Sequence, residues 1–174
     1  MKIPLESIKK LRQMSSASVS DCKKSLEQTK GNLEEAVLLL RKRGLEIAAA
    51  KQDRCAREGR IEAYVHLGNK IGVLLEVNCE TDFVARCEDF CRFTKDVAMQ
   101  IAAINPTYIS KEEVPKDILK EHKESQDFFK QHCLLEQPFI KDPNITIQDY
   151  LASLIAKIGE NIVIRRFARY KLGE

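Results

Sequence analysis

Cysteine and histidine are the residue types in this chain that could hold a metal or act as nucleophiles. The sequence contains six cysteines and three histidines. Cys87 and Cys91 are four residues apart and would share one face of a helix, with Cys79 preceding them. A zinc site normally converges three or four ligands, usually with a short CxxC or HxxxH pair, and no CxxC is present. We therefore interpret the cysteines as reduced, buried small side chains and predict no metal site.

A thiol–imidazole pair is the second chemistry that the sequence allows. Cys79 and His66 belong to two segments predicted to pair as a hairpin, so the two side chains could lie close together. A sheet cysteine and a surface histidine explain the same residues, and we prefer that interpretation. The glycines are scattered and form neither a P-loop nor a dinucleotide-binding fingerprint. The sequence therefore predicts a protein that is not an enzyme and needs no cofactor.

A polar and aromatic cluster occurs where a predicted strand passes into a predicted helix. It consists of Glu80, Thr81, Asp82, Phe83 and Val84. Asp82 could cap the helix while Phe83 packs into the core as a staple, and physical reasoning alone favours this alternative. The cluster could instead be a loop tip that presents an aromatic anchor to a partner's pocket. Periodicity and spacing do not decide between the two.

Composition and charge indicate an ordinary globular chain. Of the 174 residues, 44% are hydrophobic and 32% are charged. No apolar run is long enough to span a bilayer and no signal-peptide pattern follows Met1, so we expect a cytoplasmic protein without a membrane contact. The net charge of +3 does not by itself indicate nucleic-acid binding. Basic residues are concentrated between Arg41 and Arg60, which we interpret as a solvated helix and linker.

Residues 1–45 have the periodicity of three short helices. Ser18 with Asp21 predicts the start of the second helix, and Asn32 with Glu35 predicts the start of the third. Gly44 is expected to follow its last turn. Three helices of this length bury only a small core, which is typical of a docking module. We expect residues 46–59 to form a helical, basic linker.

Residues 60–174 are predicted to form an α+β core. The aliphatic residues Ile61, Ala63, Val65 and Leu67 alternate along one face of a strand, and a second strand follows the turn chemistry at 68–70. Helices are expected at 90–104, at 111–132 and after the Thr146–Asp149 capping box, with a last strand at 161–171. The predicted fold is a three-helix domain followed by a small antiparallel sheet packed with helices.

The segment Asn78–Arg86, with the sequence NCETDFVAR, closely resembles the signature of the elongation factor Ts family. Three other segments resemble the family in the same order along the chain, namely Leu11–Leu26, Tyr64–Leu74 and Ala156–Arg166. The first of them is similar to the family's ubiquitin-associated-like domain. Four ordered matches are more specific than any single motif.

The resemblance implies a partner, elongation factor Tu, and an activity, the release of GDP so that GTP can replace it. It implies no direct nucleic-acid contact. By resemblance, the loop that intrudes beside the nucleotide and dislodges Mg²⁺ consists of Thr81, Asp82, Phe83 and Val84. The remaining contacts implied for the GTPase are made by the N-terminal domain and the core hairpin, and involve Leu11, Arg12, Asp21, Cys22, Lys23 and His66.

The chain departs from the family pattern in two respects. Ser15-Ser16-Ala17-Ser18 stands where the family usually has Thr-Gly-Ala-Gly, and the loss of both glycines restricts the backbone conformations open to that loop. The chain also has room for one core subdomain, whereas many members carry two. Because short members dimerise, the resemblance implies a homodimer whose two cores jointly contact the GTPase.

Two other functions compete with nucleotide exchange. The three-helix segment alone would suit a ubiquitin-like or peptide-binding module. The basic stretch Arg41–Arg60, together with Arg165, Arg166, Arg169 and Lys171, would suit an RNA or ribosome binder. Exchange should depend on Phe83, whereas RNA binding should depend on the basic residues and weaken steeply with salt.

Overall fold

The computed structural model describes residues 3–15, 17–121 and 125–174. Contacts divide the chain into two units, one comprising residues 1–54 and 151–161 and the other comprising 55–150 and 162–174. Helices and an antiparallel sheet follow each other along the chain, which confirms the predicted α+β class. No helix within the described residues is both long enough and apolar enough to cross a membrane.

Three helices form the N-terminal part of the first unit: α1 (Leu5–Ser15), α2 (Val19–Gln28) and α3 (Leu33–Ala49). The Ser18 hydroxyl accepts a hydrogen bond from the Asp21 amide at 3.0 Å and donates one to the Asp21 carboxylate at 2.8 Å. This reciprocal pair satisfies an otherwise unpaired amide at the start of α2 and confirms the predicted cap. Ser16 lies outside the described residues, so the altered loop is seen only in part.

The start of α3 is also as predicted, but its end is not. Asn32 accepts hydrogen bonds from the amides of Glu34 and Glu35 at 3.1 and 3.3 Å. The prediction that Gly44 follows the last turn is wrong, because α3 continues through Gly44 to Ala49. One helical glycine costs only about 1 kcal/mol, and good helix formers surround this one on both sides.

The three helices enclose a small apolar core. Its buried members come from all three helices, and they are Ile8, Leu11, Cys22, Leu26, Ala36 and Leu40. The spacing of three or four residues within each helix places these side chains on one face. The helices therefore pack by amphipathic stripes, as the periodicity predicts.

The second unit is built on a three-stranded antiparallel sheet of β1 (Glu58–Val65), β2 (Ile71–Cys79) and β5 (Ile162–Lys171), in the order β1-β2-β5. The hairpin and the last strand are both confirmed. The register between β2 and β5 shifts by one residue, so that Arg165 is the extra residue of a β-bulge. The central strand β2 is hydrogen-bonded along both edges, which makes its end a rigid support.

The aliphatic face of β1 is the solvent-exposed face. Ile61 and Val65 are 67% and 62% exposed, whereas Glu62 between them is only 7% exposed. On the other face, Val73, Leu75 and Val77 of β2 are buried. One face of the sheet therefore carries the core and the other leaves apolar side chains in water.

A short helix α4 (Asp82–Arg86) and a long helix α5 (Glu88–Ile104) follow β2. The buried residues of α5 include Phe90, Phe93 and Val97, at the spacing predicted for this helix. Asn105 has a left-handed backbone conformation with φ of 58° and ends α5 before Pro106. The predicted stop is therefore confirmed.

The prediction of one charged helix over 111–132 is wrong. A 3₁₀ turn at Lys111–Glu113 is followed by α6 (Lys116–Glu121) and, separately, by α7 (Gln126–His132). Ser125 has an extended backbone and caps α7, so the helix cannot run through it. These pieces surround their own small cluster of Val114, Phe129 and Cys133. Residues 122–124 lie outside the described residues.

A two-stranded sheet of β3 (Pro138–Phe139) and β4 (Asp142–Thr146) precedes α8 (Ile147–Ile158) and was not predicted from the sequence. Thr146 and Asp149 exchange two hydrogen bonds of 3.1 Å each, which confirms the capping box. Gly159 has a φ of +87° and its amide donates to Ile155 O at 2.8 Å, which confirms the end of the helix.

Candidate partner-binding site

The segment that resembles the family signature begins at the buried end of β2. Cys79 is fully buried, and its thiol donates to the carbonyl of Thr81 at 3.1 Å. The Thr81 hydroxyl then accepts a hydrogen bond from the Val84 amide at 3.4 Å and caps α4. The chain is thus anchored immediately before it turns outward. Residues 82 and 83 follow this anchor directly.

Asp82 and Phe83 lie at the surface, on the first turn of α4. The side chain of Asp82 is 51% exposed, and Phe83 as a whole is 79% exposed. The interpretation of Asp82 as the helix cap is wrong, because Thr81 makes the cap. The interpretation of Phe83 as a core staple is also wrong, since the ring lies in solvent. The structure leaves the second alternative, a surface tip with an aromatic side chain.

Arg86 joins these two residues from the far end of α4. Its Nε donates a hydrogen bond to the carbonyl of Asp82 at 3.2 Å, and its Nη2 forms an ion pair with the Asp82 carboxylate. Its Cζ lies 6.0 Å from the centroid of the Phe83 ring. Separation by four residues places the acid and the base on one helix face, so this ion pair could have been read from the sequence.

The five N-terminal candidates differ in exposure. Leu11 and Cys22 are fully buried in the three-helix core, and this burial raises the pKa of the Cys22 thiol. The Asp21 carboxylate accepts a hydrogen bond from Ser18, the N-cap of α2, at 2.8 Å and forms an ion pair with Arg43 at 3.1 Å. Arg12 and Lys23 are exposed. The buried side chains of Leu11 and Cys22 therefore have a packing role. The exposed basic side chains of Arg12 and Lys23 are able to contact another molecule.

Exposed apolar side chains accompany those bases on the first unit. Leu5, Met14 and Val19 are 63%, 58% and 50% exposed. The sequence predicts none of them as a contact, because an exposed apolar residue and a buried one give the same hydrophobic pattern. Together with Arg12 they provide apolar and basic surface on α1 and α2.

His66 lies in the turn between β1 and β2, exposed to solvent. Its Nδ1 is 3.0 Å from the hydroxyl of Tyr64. Its amide is bonded to Ile71, whereas Cys79 pairs with Glu58 at the opposite end of the hairpin. At about 3.3 Å per residue, the two ends are more than about 20 Å apart. A thiol–imidazole pair between His66 and Cys79 is therefore excluded.

None of the six cysteines forms a disulfide. Cys133 is fully buried, and this burial raises the pKa of its thiol to about 11. Cys91, on α5, accepts a hydrogen bond from Arg60 Nη1 at 2.7 Å. Within residues 3–15, 17–121 and 125–174, no three His, Cys, Asp or Glu side chains are grouped so that they could hold a metal ion.

Comparison with known sequences complements this geometry. The sequence model of the family described as Elongation factor TS matches residues 3–127 and 124–174, and so includes the whole Asn78–Arg86 segment. The chain belongs to the elongation factor Ts family. The resemblance noted in the sequence is thereby confirmed.

Individual relatives match over almost their entire lengths. Elongation factor Ts of Caldanaerobacter subterraneus subsp. tengcongensis is 47% identical over 195 aligned residues, covering 99% of this chain and 98% of the relative. Elongation factor Ts of Carboxydothermus hydrogenoformans is 46% identical, covering 99% of this chain and 90% of the relative. That of Geobacter sulfurreducens is 45% identical and covers 100% and 91%. The alignments therefore extend over both units of this chain and not over one segment of it.

Proposed function

We propose that this chain acts in translation elongation as a guanine-nucleotide exchange factor, which binds elongation factor Tu carrying GDP and promotes the release of GDP. The observation that carries the proposal is the 79% exposure of Phe83 on α4, the short helix that follows a strand paired along both edges. A large apolar ring in water on a rigid support has the properties of a binding anchor. The relatives are named Elongation factor Ts.

In the proposed mechanism, Phe83 enters an apolar pocket of the GTPase and Asp82 makes a polar contact that competes with those holding the metal site. Thr81 and Val84 keep α4 in position through the cap. Mg²⁺ demands near-ideal octahedral geometry, so small shifts of the groups around it weaken its binding. Nucleotide that is held through the metal is then released more readily.

Thermodynamic linkage fixes the size of this effect. The factor binds the nucleotide-free GTPase more tightly than the GDP-bound GTPase. By linkage, the factor lowers the affinity of the GTPase for nucleotide by the same ratio as nucleotide lowers its affinity for the factor. No covalent step and no cofactor are required, so the proposed activity is binding and not enzymatic catalysis. The differential affinity for the two states of the GTPase supplies the whole driving force.

We assign docking on the GTPase to residues 1–45, a connecting role to 46–59 and the exchange loop to the core of 60–174. The docking contacts we propose are the exposed basic residues Arg12 and Lys23 and the exposed apolar residues Leu5, Met14 and Val19. Leu11 and Cys22 support them from the buried core. His66, in the exposed hairpin turn, is proposed as a further contact of the core.

A homodimer is the second part of the proposal. The exposed face of the three-stranded sheet carries apolar side chains that would be shielded by the same face of a second copy. A two-fold axis brings identical surfaces together, and the ion pair of Glu76 with Arg166 at 2.6 Å means that these two residues add no net charge to this face. The apolar members of this sheet face are Ile61, Val65, Leu74 and Tyr170, which are 50–71% exposed.

Protein partners suit the basic residues of β5 better than RNA does. Arg166 forms an ion pair with Glu76, and Lys171 forms one with Glu174 at 2.8 Å. Arg169 donates to the carbonyl of Ala102 and is only 10% exposed. Basic side chains that are already neutralised by acidic ones attract the phosphates of a nucleic acid only weakly. We therefore propose a cytoplasmic factor without direct nucleic-acid contact.

Release of fluorescent GDP from elongation factor Tu tests the proposal. Wild-type protein is expected to accelerate release, and Phe83→Ala and Asp82→Ala are expected to slow it by roughly tenfold or more, the scale of an interface anchor. Leu172→Ala is a matched control, because Leu172 is 76% exposed but lies outside the loop. No acceleration by wild-type protein would refute the function. Full activity of both loop variants would refute the loop mechanism alone.

A further inference from the structure

Arg86 is the one side chain of α4 that contacts both residues of the proposed exchange mechanism. Its guanidinium reaches the carbonyl and the carboxylate of Asp82 and lies 6.0 Å from the Phe83 ring centroid. A guanidinium has several donors in a fixed plane, so one group can serve an acid and a ring together. Arg86 therefore couples the conformation of the two tip residues.

This coupling matters because Phe83 has little else to hold it. At 79% exposure the ring makes few contacts with the core, and a ring that samples several rotamers must be ordered when it enters a pocket. A contact that favours one rotamer before binding reduces that loss. The guanidinium of Arg86, 6.0 Å from the ring centroid, is the contact that can favour one rotamer in this way.

The charge of Asp82 is a second reason why the contacts made by Arg86 matter. A carboxylate that approaches the phosphates of a bound nucleotide meets like charge, and the repulsion grows as water is excluded. The ion pair with Arg86 makes the tip formally neutral. The tip can then approach an anionic site without the full repulsion of a bare carboxylate.

We propose that Arg86 is the positioning residue of the exchange loop: it orders Phe83 and neutralises Asp82 before the GTPase is met. The proposal rests on the exchange function argued above. It assigns Arg86 no contact with the nucleotide. Its contribution therefore belongs to the formation of the complex and not to the displacement of the metal.

The chain offers a matched control for an ordinary helix-surface ion pair. Arg92 bonds Glu88 four residues earlier on α5 at 2.6 Å, and the two side chains are 57% and 87% exposed. This pair has the same spacing and chemistry as that of Arg86 and Asp82, but it lies outside the loop. Arg92→Gln removes the charge of such a pair without touching Phe83.

The first experiment examines the free protein by NMR. In wild-type protein the χ1 couplings of Phe83 are expected to report one dominant rotamer. Arg86→Gln is expected to average them, Arg86→Lys to restore part of the preference, and Arg92→Gln to leave them unchanged. Unaltered Phe83 couplings in Arg86→Gln would overturn the positioning role, whatever the protein's activity.

The second experiment titrates each variant in the GDP-release assay. Arg86→Gln is expected to raise the half-saturating concentration roughly fivefold, the scale of one exposed ion pair and one exposed cation–π contact, while the maximum release rate changes less than about twofold. Phe83→Ala removes the anchor itself and should lower the maximum rate as well as raise the half-saturating concentration. If wild-type protein is inactive, the exchange function fails and the NMR result still decides on Arg86. If wild-type protein is active and Arg86→Gln titrates like it, only the Arg86 proposal fails.

Discussion

The Thr94 hydroxyl donates a hydrogen bond to the carboxylate of Glu62 at 3.1 Å, underneath a strand whose aliphatic residues face the solvent. The same carboxylate pairs with Arg60 at 3.0 Å. In β1, Glu62 therefore points into the core, where a strand with a buried apolar face would place an aliphatic residue. This choice of face determines which side of the sheet can meet another molecule.

Removing the Glu62 carboxylate should destabilise the protein. Glu62→Ala removes the acceptor that Arg60 and Thr94 share, in a site where the acid is only 7% exposed, and such a loss costs about 2 kcal/mol. Urea unfolding at one fixed protein concentration measures it. Glu27→Ala is the control, since Glu27 forms a surface ion pair with Lys23 at 3.9 Å. Its loss should lower the free energy of unfolding by less than about 0.5 kcal/mol. Equal losses in the two variants would contradict this role for Glu62.

The exposed sheet face should carry the proposed dimer. Leu74 lies on the central strand of that face and is 50% exposed, so Leu74→Glu places a charge at the middle of the interface. We expect the dimer dissociation constant to rise by at least about tenfold, as for a central interface residue. Analytical ultracentrifugation is the measurement, with Leu38→Glu, 62% exposed on α3, as the control. A wild-type protein that sediments as a monomer throughout would end the dimer proposal.

Gly59 should not tolerate a side chain. Its φ is +147°, and an added Cβ would lie 2.2 Å from the Val77 carbonyl oxygen and 2.8 Å from the Asn78 Cα. Because both neighbours are backbone atoms of the paired strand, Gly59→Ala is expected to lower the free energy of unfolding by about 2–4 kcal/mol. Gly72→Ala, where no atom lies within 4 Å, should be neutral or stabilising by about 0.5 kcal/mol. Chemical denaturation that ranks the two variants equally would rule out this steric account.

Cysteine reactivity should follow burial. At pH 8, a thiol-labelling reagent is expected to modify the exposed Cys55 first and the buried Cys133 only slowly. Cys55→Ser should remove the fast phase. Fast labelling that survives in Cys55→Ser and maps to Cys133 would show that this residue is not protected by the fold.

The raised pKa of Cys133 also gives the pH dependence a direction. Burial raises it from 9.0 to about 11, so the folded protein keeps the thiol proton after the unfolded chain has lost it. The contribution to stability is full below pH 9 and declines as the pH rises through 11. Labelling of Cys133 should accelerate over the same range. In Cys133→Ala this part of the alkaline loss of stability should disappear.

The features that could be predicted from the sequence are those decided by local hydrogen bonds. Ser18 with Asp21 and Thr146 with Asp149 cap their helices within four residues, so their chemistry is complete in the sequence. The hairpin and the end of α5 are local in the same sense. Gly44 is the exception, because a helix continues through a glycine when its neighbours favour it.

The features that could not be predicted depend on distant partners. Alternation in β1 shows two faces but not which one is buried, and the acid of Glu62 is held by Thr94, 32 residues away. Phe83 was open to two interpretations because a core staple and a surface anchor use the same residue type. The break before α7 follows from Ser125 and from the cluster around Phe129, which includes residues from outside the helix.

The first unit includes residues 151–161, and this has a consequence for the order in which the protein is made. Lys51 donates to the carbonyl of Gly159 at 2.7 Å, and Asn161 donates to the carbonyls of Gln52 and Arg54 at 3.2 and 2.8 Å. These contacts cannot form until residues 151–161 have been synthesised. Because synthesis adds about 5–20 residues per second, the three N-terminal helices wait several seconds for the segment that completes their unit. The three N-terminal helices are thus completed as a unit only by a segment that is synthesised roughly 100 residues after them.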